Sequence, residues 1–189
     1  MHRPNVAFTA LVLAIILAAG AGTSFTWAAV VDANRAQVKF IARQSEVPLE
    51  GSFGRFSADV DLDPAHPQDG KIKVDIDLAS VDAGGTDANN LLKGAEFFDV
   101  PRFPTASFVS TSIQAKGPAT FQASGPFTLK GHTANLVIAF VARPDNTGLW
   151  FEGTAPVSRL AFKVGQGQWS DTATLDDEVQ IQFRVHMTR

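Results

Sequence analysis

The sequence contains no cysteine and no tyrosine among its 189 residues. Without cysteine the chain has no disulfides, no thiolate metal site and no cysteine nucleophile, so packing alone must stabilise its fold. Charge is also scarce, since charged residues make up 19% of the chain and the formal net charge is −3. A chain without a basic excess lacks the electrostatic footprint of a DNA- or RNA-binding protein, so we predict no nucleic-acid partner.

The aromatic residues are almost all phenylalanine, with 15 Phe against 3 Trp. Phenylalanine presents a large, stiff apolar surface without the polar atom that tyrosine carries. A core built from such rings suits an apolar ligand cavity, although plain core packing explains any single Phe equally well.

The N-terminal segment has the layout of a secretory signal. Val6–Gly22 carries no charge, follows His2 and Arg3, and leads into the small-residue stretch around Ala28. We therefore predict a signal peptide over residues 1–28, cleavage between Ala28 and Ala29, a periplasmic location and one domain over residues 29–189. The alternative is an uncleaved membrane anchor, since a membrane span needs only about 20 apolar residues.

After the leader, apolar and polar residues alternate in short runs typical of half-buried strands. Lys71–Leu78 and Glu178–Met187 are the clearest. Weaker runs are Gln37–Arg43, Gly54–Leu62, Thr105–Ile113, Thr120–Lys130, Asn135–Arg143 and Leu149–Phe162. Only about residues 87–97 suit helical turns, with Asp87 as N-cap and Gly94 as terminator. Eight such runs predict an all-β antiparallel fold; periodicity leaves barrel and sandwich open, and the phenylalanines favour a barrel with a lumen.

Catalytic and metal-binding patterns are scarce. No two histidines stand at ligand spacing, and His186 falls on the polar side of its strand, which predicts a solvated side chain. The loop that holds Asp63 and His66 is typical of a turn rather than a metal site. No nucleophile elbow and no phosphate-binding glycine loop occurs in the sequence, so we predict a protein that is not an enzyme and has no catalytic or metal-binding residues.

The predicted ligand-binding residues are apolar side chains on the inward strand faces. They are Phe40, Phe56, Val74, Ile76, Phe108, Phe121, Phe127, Phe140, Phe151, Phe162 and Phe183. Two charged residues, Asp87 and Arg159, are candidates for contact with a polar head group, because a charge that points inward needs a partner. The alternative for Arg159 is an outward side chain paired with a surface acid.

Several short blocks occur in a characteristic order along the chain. They are 51–56 (GSFGRF), 80–87 (SVDAGGTD), 90–92 (NLL), 96–108 (EFFDVPRFPTASF), 129–133 (LKGHT) and 159–169 (RLAFKVGQGQW). Together they resemble the YceI-like polyisoprenoid-binding family over nearly the whole chain after the leader. The resemblance implies an exported, eight-stranded lipocalin-like barrel whose lumen takes an isoprenoid quinone or a polyprenyl phosphate, with no other cofactor.

The stretch 43–48 (RQSEVP) and the loop around Trp169 are most similar to family members associated with cytochrome b561-type membrane proteins. This likeness implies such a membrane protein as partner and a quinone as ligand. The alternative function is a redox or stress-related component that acts on bound quinone. The sequence leaves the oligomeric state open, a homodimer included.

Overall fold

The computed structural model describes residues 30–188, which form eleven strands, one α-helix (α1, Thr86–Lys93) and four short 3₁₀ segments. The strands are β1 Val30–Gln44, β2 Val47–Phe53, β3 Phe56–Asp61, β4 Lys71–Asp77, β5 Val81–Asp82, β6 Thr105–Val109, β7 Ser112–Ala115, β8 Thr120–Leu129, β9 His132–Pro144, β10 Gly148–Ser158 and β11 Glu178–Thr188. The predicted signal peptide and its cleavage site lie outside the described residues. Within those residues, no helix is long and apolar enough to cross a membrane.

All strands belong to one antiparallel sheet that curls back on itself. Its neighbour order is β3-β4-β6-β8-β9-β10-β11-β1-β2-β5, and β7 joins β8. The first strand in this order, β3, continues β2 along the chain, and β5 at the other end continues β4. β6 and β7 likewise follow each other along the chain and both pair with β8. When each of these three pairs is counted as one bent strand, the eleven segments make eight strands. The predicted count of eight therefore matches the number of bent strands, not the number of separate segments.

The bend between β2 and β3 is fixed by backbone hydrogen bonds to the bend between β4 and β5. Gly54 N donates to Ser80 O at 3.1 Å, and Asp77 N donates to Arg55 O at 3.0 Å. The Arg55 backbone N–H also donates to the Ser80 hydroxyl at 3.0 Å. These bonds satisfy the peptide groups where the strand ladder is interrupted, so the sheet turns this corner without orphaned donors.

The alternation read from the sequence sets which face points inward. In β8, Phe121, Ala123, Gly125, Phe127 and Leu129 are buried, and the residues that alternate with them are not. In β11, the predicted apolar face of Val179, Ile181, Phe183, Val185 and Met187 faces the interior. Period-2 burial of this kind places one side of each strand inside the barrel.

The helix differs in detail from its prediction. It spans Thr86–Lys93 rather than about 87–97, and Gly85 rather than Asp87 is its N-cap. Asp87 lies in the first turn, where a carboxylate is favoured by the helix dipole, and its side chain is exposed. Gly94 ends the helix as predicted, and residues 95–98 form a turn that places Phe97 and Phe98 in the core.

Two further expectations are wrong. The predicted run Leu149–Phe162 stays extended only to Ser158, after which Leu160–Phe162 forms a 3₁₀ turn. His186 is not solvated; its exposed fraction is 0%. Alternation does place it on the outer face of β11, but the Trp150 ring covers it at a centroid distance of 4.7 Å, and its Nε2 lies 3.1 Å from Asp145 Oδ2. Local alternation cannot show that an outer face is covered.

Candidate functional site

The barrel encloses a cavity of about 490 Å³. Nearly every strand contributes to its wall, together with α1 and the loop between β10 and β11, and almost all of the lining side chains are apolar. Binding pockets for small organic ligands commonly measure about 300–1,000 Å³, so this cavity has the size of a ligand pocket and an apolar wall.

Nine of the eleven predicted lumen residues line this cavity. They are Phe40, Phe56, Val74, Ile76, Phe108, Phe127, Phe140, Phe151 and Phe183. Their placement follows from strand alternation, because the same face of each strand that avoids water also forms the wall. That they contact a ligand stays a prediction.

Phe121 and Phe162, the other two predicted lumen residues, are buried but are not among the residues that line the cavity. Phe121 is 1% exposed and stacks on Phe140 at 5.5 Å between ring centroids. Phe162 packs its edge against Phe127 at 5.2 Å. Each supports a ring that does reach the lumen. Alternation assigns a face to a side chain but not a depth.

Several wall residues were missed by the sequence reasoning. Phe53 and Leu49 share the inward face of β2, and period-2 alternation with Gly51 was the signal that could have found them. Phe97, Phe98 and Trp169 line the cavity from non-strand segments, for which no periodic pattern exists. Only the folded chain brings these rings to the lumen.

Gly51 makes room for one of the lumen rings. It pairs across the strands with Phe40, and a Cβ at position 51 would overlap the Phe40 ring atoms. The ring therefore lies over the glycine and keeps close to the wall, 5.6 Å from the Phe53 ring. A side chain at position 51 would push Phe40 out of this position.

Arg159 is the buried charged residue of the wall, with 3% of its surface exposed. Its side chain points inward, which was the first of the two alternatives given for it. Its guanidinium donates to four backbone carbonyls: Asp176 O, Val164 O, Gly165 O and Leu175 O. Burial lowers the pKa of Arg159, while Asp177 and Asp176 raise it. An arginine remains protonated in proteins, so the wall carries a fixed positive charge. Asp87, the other polar candidate, does not line the cavity.

The mouth of the cavity lies between the start of β2 and α1. Leu49 and Leu91 line the cavity and are nevertheless 43% and 41% exposed. Val47, which precedes Leu49 on β2, is 59% exposed. Gln44 and Glu50 complete the wall at this end. An exposed apolar rim that continues into an apolar cavity is typical of the entry to a lipid-binding site.

Groups for acid–base or metal chemistry do not converge on the cavity. Within residues 30–188, no three His, Asp or Glu side chains are grouped as metal ligands. Asp63 and His66 pair on an exposed turn through a 3.0 Å contact, and the hydrogen bond from the His66 ring lowers the pKa of Asp63. The arrangement is therefore suited to binding an apolar molecule.

The YceI-like domain family model matches residues 30–187. The chain belongs to this family. A UPF0312 protein of Ectopseudomonas mendocina is 30% identical over 178 residues, which cover 89% of this chain and 93% of that protein. A UPF0312 protein of Azotobacter vinelandii is 33% identical over 147 residues, which cover 75% and 74% of the two chains.

Two solved structures show the same fold. Burkholderia cenocepacia BcnA superposes with a TM-score of 0.81 at 35% identity, over 84% of this chain and 99% of that one. A polyisoprenoid binding domain from Saccharophagus degradans gives 0.66 at 13% identity, over 85% and 98% of the two chains. The predicted lipocalin-like all-β fold and the family resemblance are both confirmed.

Proposed function

We propose that this protein is a carrier or reservoir for an isoprenoid lipid, either a quinone or a polyprenyl phosphate, and that it acts in the periplasm after export. The observation that carries this proposal is the apolar cavity of about 490 Å³, whose wall holds nine of the predicted lumen residues. The named ligand of the structurally similar polyisoprenoid binding domain supports the ligand class. Binding rather than catalysis is proposed.

Physical chemistry favours a ligand that is held by its chain. Each buried CH₂ group contributes about 0.8 kcal/mol of transfer free energy, so four or five isoprene units offer more than a nanomolar complex requires. Ordering the flexible chain offsets much of this gain. We therefore expect broad tolerance of head groups and a strong dependence on chain length.

Native mass spectrometry of the protein isolated from its own compartment tests the proposal. We expect an additional mass that corresponds to an isoprenoid lipid, or uptake of quinone or polyprenyl phosphate on incubation. A clean apo mass with no uptake of either lipid contradicts the proposed function. N-terminal sequencing of the same sample tests export, because cleavage after Ala28 would leave Ala29 as the first residue.

Substitutions that fill the lumen give a second test. Phe140→Trp and Phe151→Trp enlarge rings that line the cavity, so we expect lipid uptake to fall strongly while the circular dichroism spectrum is unchanged. The matched control is Val137→Trp, because Val137 is 39% exposed and lies outside the cavity wall. Unchanged uptake in a lumen variant removes that residue from the binding site.

A second candidate function, action on bound quinone with a cytochrome b561-type membrane protein, is supported by one observation. The two segments that carry this likeness meet in space: Ser45 N donates to Thr174 O at 3.0 Å, and Gln44 pairs with Leu175 in a single β-bridge. They lie at the mouth end of the barrel, where a membrane partner would exchange ligand. Cross-linking from position 45 in membranes tests this candidate, which fails if no haem-containing membrane protein is captured.

A further inference from the structure

Two side chains with buried hydrogen-bond donors interrupt the largely apolar wall of the lumen. Trp169 and Arg159, which we call the donor patch, both line the cavity. Both come from the segment between β10 and β11, which meets the turn between β1 and β2 at the mouth end through the Gln44–Leu175 bridge. The donor patch supplies hydrogen-bond donors only. Gln44 and Glu50, which lie in the partly solvated mouth, both supply acceptor oxygens, and Gln44 also supplies a donor.

The Trp169 indole N–H is buried and has no hydrogen-bond partner. Its ring packs against Phe97 at 5.6 Å between centroids. A buried tryptophan N–H usually finds an acceptor, and a buried donor left unpaired is costly. Trp169 lines the cavity, so a small shift of the indole when the lumen is filled would bring its unpaired N–H to an acceptor on the ligand.

Arg159 adds donor capacity and positive charge to the same wall. Four of its five N–H groups are bonded to backbone carbonyls, which leaves one N–H on Nη2 unengaged. None of these four acceptors is a carboxylate, and the Asp177 side chain instead accepts from Ser158 and Leu160. The guanidinium charge therefore has no anion in hydrogen-bond contact.

Gly165 lets the two side chains lie close together. It has a φ of +74°, and a Cβ built on it would lie within 3.5 Å of both Arg159 Nη1 and Trp169 Cβ. A larger residue would be strained at this φ and would also contact the guanidinium. The backbone is thus shaped to bring the guanidinium and the indole to one region of the wall.

We propose that the donor patch of Trp169 and Arg159 is the head-group subsite of the cavity and binds an acceptor oxygen of the isoprenoid lipid. This inference rests on the proposed function and deepens it. The head group lies at the mouth end of the barrel, and the chain extends along the phenylalanine-lined interior. A quinone carbonyl and a phosphate oxygen share the required chemistry, whereas an isoprenoid hydrocarbon lacks it.

The test uses three probes: a prenylated benzoquinone, geranylgeranyl monophosphate and squalene, which has no oxygen. In ¹H–¹⁵N spectra of the full chain, the indole resonance of Trp169 is the one that disappears in Trp169→Phe. We expect this resonance to shift downfield with the quinone or the phosphate and to move less with squalene. The Trp150 indole, which donates to Asp145 Oδ2 on the outer face, is the internal control and stays in place.

Affinities give an independent measurement. Trp169→Phe removes the donor and keeps an aromatic ring, so we expect about 3- to 10-fold weaker binding of the oxygenated probe and unchanged binding of squalene. Trp150→Phe is the matched control and leaves all affinities unchanged. A larger loss for the phosphate than for the quinone identifies an anionic head group, and the reverse identifies a neutral one.

The failure of this inference is distinguishable from failure of the proposed function. If the probes bind but the Trp169 resonance responds equally to squalene, or Trp169→Phe weakens all three probes equally, the head-group subsite is wrong and the carrier function stands. If none of the three probes binds, the carrier function itself is wrong.

Discussion

At the scale of single residues, two buried cationic side chains stabilise loops around the cavity through hydrogen bonds to backbone carbonyls. Arg159 donates to carbonyls on both sides of the segment between β10 and β11. Lys130, in the hairpin between β8 and β9, donates from Nζ to Ala95 O at 2.7 Å and to Lys163 O at 2.8 Å. Burial lowers the pKa of Lys130. These side chains satisfy carbonyls that no strand ladder reaches.

Replacing Arg159 by methionine leaves four carbonyls without their donor. Because a buried acceptor left without its donor commonly costs about 1–3 kcal/mol, we expect the free energy of unfolding to fall by at least that amount. Urea denaturation measures it. Arg143→Met is the control, since Arg143 is 64% exposed at its side chain and its ion pair with Glu152 is worth at most about 1 kcal/mol. Equal losses for the two variants would contradict the role of Arg159.

Asp145 makes stability depend on pH. Hydrogen bonds from the backbone N–H and the hydroxyl of Thr147, and a further one from His186, hold the pKa of this carboxyl well below its usual range. A carboxyl whose folded pKa is depressed stabilises the fold above its unfolded pKa of about 3.9, and this contribution is lost as pH falls towards the folded value.

We therefore expect Asp145→Asn to lower Tm at pH 7 and the difference from the unsubstituted protein to shrink below about pH 4. Thermal melts followed by circular dichroism at pH 7, 5 and 3 measure this. Asp59→Asn, at an exposed position on β3, is the control and shows no comparable effect. A Tm difference that does not change with pH would show that the carboxylate charge is not what stabilises this cluster.

At the scale of elements, the mouth is made by the exposed apolar side of α1 and the start of β2. Leu91 of α1 and Val137 of β9 are almost equally exposed, at 41% and 39%, but only Leu91 lines the cavity. The same substitution at these two positions therefore distinguishes an effect on ligand entry from the general effect of adding a surface charge.

We expect Leu91→Asp to weaken lipid uptake several-fold, because a carboxylate at the mouth must lose water for an apolar chain to pass. Val137→Asp should leave uptake unchanged. Transfer of a fluorescent prenyl lipid from vesicles to each variant measures the rate and the extent of uptake. Equal uptake by both variants would place the entry elsewhere.

At the scale of the whole molecule, the finite volume of the cavity, about 490 Å³, limits how much ligand chain can be buried. Each added isoprene unit should raise affinity by about tenfold, after ordering costs, until the lumen is full, and further units should add nothing. Isothermal titration with a series of prenyl chains of one head group measures this dependence. Binding should also show a negative heat-capacity change from apolar burial. Affinity that is independent of chain length would contradict a lumen site.

Much of the fold and part of the site could be predicted, because both depend on local periodicity. The inward faces of β4 and β11 follow from alternation, and the same alternation places Val74, Ile76 and Phe183 on the cavity wall. Prediction failed where the tertiary structure covers or bends a strand. His186 is buried because another part of the chain covers its outer face.

The sequence by itself determined the family, the all-β class and which side of most strands avoids water, since these follow from motif order and a two-residue period. Only the tertiary structure decided how deep each ring lies and which loop residues join the wall. Phe121 stacks on Phe140 and does not line the cavity, and Trp169 comes to the cavity from a segment without periodicity. Depth and loop placement depend on contacts between residues distant in sequence, which alternation along one strand cannot encode.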